Sequence, residues 1–306
     1  MKKTRRRLDL FHVLTWVASA ATVFILLWIL ESIFTPALPM IQRSGLGFFT
    51  SIAWNVNRDV YGALPFVIGT AMTSLIALIL ALPLGVFIAL FLSENFLPFW
   101  IRQVIRFVVE LLAAIPSVVY GLWGIAVVIP IVQQFGGVLA NSLGFLPLFQ
   151  GPAFGNSTLT ASLVLALMVL PTITAISRTT LANLPLTLRE GSYAIGATRW
   201  ETIFRVLLPS AAPGIVAATI LAFGRAMGET MAVAMLIGNS PRLSWSLLSP
   251  GGTLAGLLAN QFGEASGLQI SALMYAALAL VLLTLIVNMI GEAVLRHVEK
   301  STAGIR

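Results

Sequence analysis

The sequence predicts an all-α, polytopic membrane protein with six transmembrane helices, and three observations lead there. First, 58% of the 306 residues are hydrophobic and only 9% are charged, with a mean hydropathy of +0.97, far beyond a water-soluble domain. Second, six stretches can cross a bilayer core about 30 Å thick, which takes roughly 20 apolar helical residues. They cover 11–33, 64–92, 104–132, 158–177, 211–237 and 270–295. Third, Lys and Arg alternate in abundance between successive connections. With the N-terminus inside, 14 of the 18 fall in inside segments. Only Arg43, Arg58 and Arg242 fall outside, and Arg225 lies within a span, so both termini are predicted to be cytoplasmic.

The formal charge of +7 therefore reflects topology; no basic face interleaved with aromatics points to nucleic acid. With no Cys and only His12 and His297, the chain lacks the means for a thiolate metal site, a disulfide framework or a Cys/His nucleophile pair. No metal or cofactor is expected. A membrane-embedded enzyme would show convergent polar residues in its spans, yet the only aspartates are Asp9 and Asp59. An ion-driven secondary transporter more often shows internal repeats, and none is evident.

In chain order, residues 1–10 form a basic tail. MKKTRRR followed by an apolar run resembles a secretory signal, with Ala18-Ser19-Ala20 as a cleavage-like site, but the run continues through Leu30 and reads as an uncleaved first span. Residues 11–60 hold that span and an outside loop over 34–63 carrying Trp54 and Tyr61. Residues 61–298 form one membrane core, closed by a short tail at 299–306. Pro83 and Pro116 are expected to kink their helices. The outside loop 133–157 has no charge and is rich in Gly and Pro; it either folds back into the protein or offers a docking surface. Glu31, Glu264 and Glu292 fall near span ends, where solvation explains them.

The inside loop 178–210 is the most informative stretch. Thr187-x-x-Glu190 and Thr198-x-x-Glu201 are capping-box patterns that predict the starts of two short helices. Gly196 ends the first. In the second, Trp200, Ile203, Phe204 and Leu207 share an apolar face directed at the floor of the membrane domain, and Pro209 closes it. The first helix, about 188–195, falls short of the roughly 12 residues that are marginal in water, so it must dock on something. Gly191, Ser192 and Ala194 add little bulk, which suits close approach of a partner; an amphipathic loop resting on its own protein is the alternative.

Glu190-Gly191-Ser192, Gly196 and Val206-x-Leu208-Pro209 resemble the EAA loop of ABC-importer permeases, E-A-A-x3-G-x9-I-x-L-P, departing at three positions by small-for-small or branched-for-branched changes. ELLAAIPSVVYG from Glu110 to Gly121, GPAFG from Gly151 to Gly155 and GRAMGETMAV from Gly224 to Val233 are more specific. They resemble PstC-type permeases of phosphate importers, with the match spread over about 61–295. The resemblance implies a type I ABC importer permease fold with a cytoplasmic coupling helix in the bacterial inner membrane. It implies Glu190, Gly191, Ser192 and Gly196 as the residues that couple to the ATPase. It also implies a heterodimer with a PstA-type permease, two ATP-binding PstB-type subunits and an extracytoplasmic phosphate-binding protein of the PstS type. The chain has no G-x-x-x-x-G-K-[ST] loop, so it is expected to be a transport subunit whose partner hydrolyses ATP. Another oxyanion such as sulfate or molybdate, or a different solute, stays open as cargo.

Arg225 and Glu229 lie four apart in a predicted span. On one helix they share a face, can pair, and point away from lipid, and Gly224 and Gly228 let a helix or solute approach. A guanidinium suits phosphate oxygens and stays charged, while an ionised carboxylate accepts the proton that phosphate keeps and sulfate lacks. The resemblance implies that both line the phosphate path; the alternative is a buried ion pair holding spans together. Glu110 has three readings: facing the path, pairing with Arg225, or standing at the cytoplasmic interface beside Arg106. The pairing and interface readings are favoured over direct substrate contact.

Overall fold

A computed structural model describes residues 10–94 and 96–302. All but the last residue of the basic N-terminal tail, and 303–306, lie outside the described residues. The described chain is helical, and the elements that position the site are α1 (Leu10–Ser44), α2 (Leu64–Ser93), α3 (Phe99–Ala114), α4 (Ser117–Leu143), α5 (Thr158–Ala182), α6 (Leu186–Ala194), α7 (Arg199–Gly228), α8 (Met231–Leu236), α9 (Leu254–Gln261) and α10 (Leu268–Thr302). Six of them, α1, α2, α4, α5, α7 and α10, are long and apolar enough to cross a membrane.

Four spans depart markedly from their sequence-predicted limits. The predicted span 104–132 is two helices, because Ile115 is extended (φ −70°, ψ 127°) before Pro116. The proline ring disfavours helical backbone in the residue before it, so Pro116 breaks the helix where a kink was expected. The crossing segment moves to α4, and Glu110 lies on α3, outside it. The predicted fifth span 211–237 is likewise shifted. Arg199 through Gly228 form one helix, and Pro209 does not close a separate helix before it. Ile203–Leu207 form a wide π turn just before Pro209, as Gly124–Val128 do just before Pro130. Each wide turn absorbs the missing N–H and the clash of the ring with the preceding turn. Finally, α1 and α10 have 35 residues each, about 50 Å of helix. They run past the bilayer core, converting part of the predicted loop at 34–63 and part of the tail at 299–306 into helix.

The most extensive contact is between α2 and α5. Ala77, Ala81, Gly85 and Ala89 recur every fourth residue on α2, the three alanines fully buried. A Cβ at Gly85 would stand 2.9 Å from Ile173 Cγ2, so the small stripe lets the α5 backbone come close. Tyr120, Val164, Leu236 and their neighbours complete this central core. A second core, including Met40, Phe48, Leu254 and Leu273, joins the end of α1 to α9 and α10; a third, including Leu90, Leu181, Ile203 and Leu207, lies under α6.

The loop predicted at 133–157 is half helix, since α4 continues to Leu143. The rest is strapped to residues 236–253: Leu247 N–H donates to Leu148 O (2.8 Å), Ser246 Oγ to Gln150 O (2.6 Å) and Ser157 N–H to Leu236 O (3.1 Å). It folds back onto the protein.

Candidate functional site

Arg225 occupies the last turn of α7, where the negative end of the helix dipole favours a cation. Its Nη1 donates to Thr172 Oγ1 at 3.4 Å. Thr172 lies 14 residues from the start of α5 and 10 from its end, about 21 and 15 Å along the axis. The guanidinium therefore sits at mid-span depth. It also stands within electrostatic reach of Tyr120, whose hydroxyl donates to Leu112 O at 2.8 Å and so satisfies a carbonyl left over where α3 ends.

Glu229 does not share a helical face with Arg225. The helix stops at Gly228, Glu229 is extended (φ −67°, ψ 125°), and no ion pair joins the two. Local bonds hold the break: Glu229 Oε1 accepts from Ala232 N–H (3.4 Å) and Thr230 Oγ1 donates to Gly228 O (3.1 Å). Such side-chain bonds compete with helical ones, and Gly228 gives the helix little support. The result is a guanidinium in the last helical turn and a carboxylate within the unwound two-residue segment after it, each without the other as partner. Gly228 faces open space, whereas Gly224 lies against Asn288 of α10, its would-be Cβ 3.4 Å from Oδ1. Arg225 is exposed on this chain alone, as are Leu221, Met231 and Trp123.

Glu110 pairs with Arg106 (2.7 Å) on exposed α3, which fits the interface reading; it contacts neither Arg225 nor Glu229.

The EAA-like residues take up α6 and the turn after it. Gly196 adopts φ +82°, a left-handed conformation that glycine enters without strain, and ends α6 as expected. The Thr198/Glu201 capping box forms, with Glu201 Oε2 2.8 Å from Thr198 N and Thr198 Oγ1 3.3 Å from Glu201 N. The box predicted at Thr187/Glu190 does not, because α6 begins two residues earlier, at Leu186 after Pro185, which offers no capping side chain. Glu190, Gly191 and Gly196 are exposed, with nothing near a would-be Cβ at either glycine. Ser192 is buried and bonds Thr202 across the turn (2.9 Å), so it fastens α6 to α7. Leu186, Tyr193 and Ile195 are exposed apolar side chains, Ile195 at 86%.

Two partners escaped sequence reasoning. Thr172 is one; the signal was a hydroxyl in an apolar run. The other is Glu94 at the end of α2. Arg189 of α6 donates to its Oε1 from Nη2 (2.8 Å) and Nε (3.2 Å), and to the carbonyls of Leu181 (3.1 Å) and Leu184 (3.4 Å). This clamp ties α6 to the ends of α2 and α5, and nothing in the local sequence pairs two residues so far apart.

The model of the family described as "binding-protein-dependent transport system inner membrane component" matches residues 81–304. The chain belongs to that family. Among the relatives of this inner membrane component, the phosphate transport system permease protein PstC of Xylella fastidiosa strain Temecula1 is 41% identical, covering 96% of this chain and 92% of its own length. PstC of Haemophilus influenzae is 39% identical over 94% of this chain and 96% of its own. The probable PstC of Methanocaldococcus jannaschii is 36% identical over 95% and 94%. A chain of the bacterial alginate ABC transporter has the same fold, with a TM-score of 0.63 and 14% identity, over 93% of this chain and 96% of that one. A chain of the MetNI methionine ABC transporter matches with a TM-score of 0.53 and 20% identity over 78% and 94%. The predicted ABC importer permease fold is thus observed, and the chain is a multi-pass membrane protein.

Proposed function

We propose that this chain is the PstC-type permease half of an importer carrying inorganic phosphate, with both termini cytoplasmic and ATP hydrolysed in partner chains. The observation that carries the reading is Arg225 at mid-span, bonded to the Thr172 hydroxyl and not neutralised by Glu229. An intramembrane charge without a carboxylate partner is costly unless it serves a solute or a second chain. The names of the relatives support phosphate as the solute.

In this reading the exposed face around Arg225 is closed by a PstA-type permease. The guanidinium attracts the anion with its fork of donors. Glu229, one residue beyond the helix end, accepts the proton of a partly protonated phosphate and repels fully ionised sulfate. A phosphate-binding protein delivers the anion on the outside. Two ATP-binding subunits take the exposed face of α6 through Glu190, Gly191 and the turn at Gly196, and Ser192 keeps that helix on α7. ATP-driven movement of α6 then opens the path alternately to the two sides.

Uptake of radiolabelled phosphate at low concentration, with excess sulfate and molybdate as competitors, tests this. Uptake that needs the chain, resists both competitors and is lost in Arg225→Gln at normal membrane levels is the expected result. Unchanged uptake on deletion overturns the phosphate reading, and normal uptake by Arg225→Gln overturns the assignment of Arg225.

A further inference from the structure

The C-terminal half of α10 offers two exposed sides of opposite character. Ile286, Ile290 and Val294, at spacing four, are exposed and apolar, as a lipid-facing strip should be. Asn288, Glu292 and Arg296, also at spacing four, are exposed and polar, and with Met289 and Ala293 they line a cleft of about 540 Å³. Arg296 Nε donates to Glu292 Oε1 at 3.0 Å, so that pair gives the cleft wall no net charge. The Asn288 carboxamide makes no hydrogen bond among the described residues. An amide inside a span is costly against lipid, and polar groups there face a cavity or a partner.

The cleft lies on the Arg225 side of the molecule. α7 and α10 meet where a Cβ at Gly291 would stand 2.7 Å from Ile220 Cγ1. Asn288 stands to one side of that seam, its Oδ1 3.4 Å from a would-be Cβ at Gly224. Around α7, Gly224 falls between Ile220 and the exposed strip of Leu221, Arg225 and Gly228. Asn288 is therefore at the depth of Gly224 and beside that strip. From there the cleft follows Glu292 and Arg296 for about 12 Å towards the end of α10.

We propose that this cleft is the cytoplasmic half of the phosphate path and that Asn288 is a further residue that contacts the anion, after Arg225. The inference rests on the phosphate-importer reading. The amide N–H groups of Asn288 donate to phosphate oxygens, and its carbonyl oxygen accepts the proton that phosphate keeps and sulfate lacks. A neutral amide holds an anion less strongly than a guanidinium does, which suits release, since a conducting site must bind weakly enough to let go. Beyond it, the Glu292–Arg296 pair neither traps nor repels the departing anion.

The chain has no Cys, so single thiols can be placed in it. The test labels the full transport complex in inverted membrane vesicles, cytoplasmic face outward, with an anionic, membrane-impermeant methanethiosulfonate. Asn288→Cys and Ala293→Cys are expected to react at least about tenfold faster than Ile290→Cys, because a charged reagent avoids lipid. In cells, Asn288→Leu should lower phosphate uptake about fivefold at normal membrane levels, the worth of one hydrogen bond, and Asn288→Gln should recover most of it. If Asn288→Cys expresses poorly, Ala293→Cys against Ile290→Cys carries the same expectation. Equal labelling rates overturn the cleft as a water-filled path, and wild-type uptake by Asn288→Leu overturns its contact with the anion. Labelling does not depend on the cargo. Phosphate uptake unchanged on deletion of the chain sinks the phosphate reading, whereas equal labelling in a complex that still imports phosphate sinks this inference alone.

Discussion

The clamp between Glu94 and Arg189 gives the sharpest expectation. The side chains are 7% and 15% exposed, and breaking a buried pair by removing one partner costs about 3–5 kcal/mol. The two ends are not equivalent. In Glu94→Gln, Arg189 keeps the Leu181 and Leu184 carbonyls and the new amide still offers an oxygen at the same place, so the cost falls to about 2 kcal/mol. In Arg189→Met the carboxylate and both carbonyls lose their donor together, and the full range of about 3–5 kcal/mol applies. What those energies hold in place is α6, nine residues that are marginal as a helix in water. Hydrogen exchange of residues 186–198 in the full-length protein reads the undocking. About 2 kcal/mol corresponds to roughly 30-fold faster exchange, and 3 kcal/mol to more than 100-fold. The double variant Glu94→Gln/Arg189→Met should cost less than the two singles summed, because each removes the same contact. Additive effects, or Glu94→Gln exchanging faster than Arg189→Met, would refute the reasoning.

Three further outcomes follow from local geometry. Gly85→Leu drives a side chain into Ile173 and should destabilise the protein by about 1–3 kcal/mol, read as a lower thermal midpoint in detergent. Gly196→Val places a β-branched residue at φ +82° and costs roughly 1–2 kcal/mol; slower phosphate uptake with unchanged membrane levels is expected, because the turn holding α6 is strained while the path is intact. Glu110→Gln removes an exposed pair worth at most about 1 kcal/mol, and uptake assays should find it close to wild type; a large loss would return Glu110 to the path.

The number of spans and the all-α class were legible in the sequence, because both depend on local quantities: the length of an apolar run and the charge of the segment that follows it. The turn at Gly196 and the capping box at Thr198 were legible for the same reason, each resting on residues within three positions. Pro116 announced a disturbance in the third span, but whether the helix bends or ends is decided by what receives the freed carbonyls, here in part Tyr120. The break after Gly228 has no proline to announce it. A regular helix and a break stabilised by Glu229 and Thr230 differ by a few local hydrogen bonds, so the spacing of four suggested a pair that does not form. The contacts of Arg225 with Thr172 and of Arg189 with Glu94 span 53 and 95 positions. Only the tertiary structure decided them. The stripe of small residues on α2 emerged as a packing face only in the structure, because which helix fills it depends on the shape of every other interface. Local sequence sets which elements exist and which side chains they offer; the energy that pairs those side chains is shared among distant segments and becomes definite only when all of them are packed.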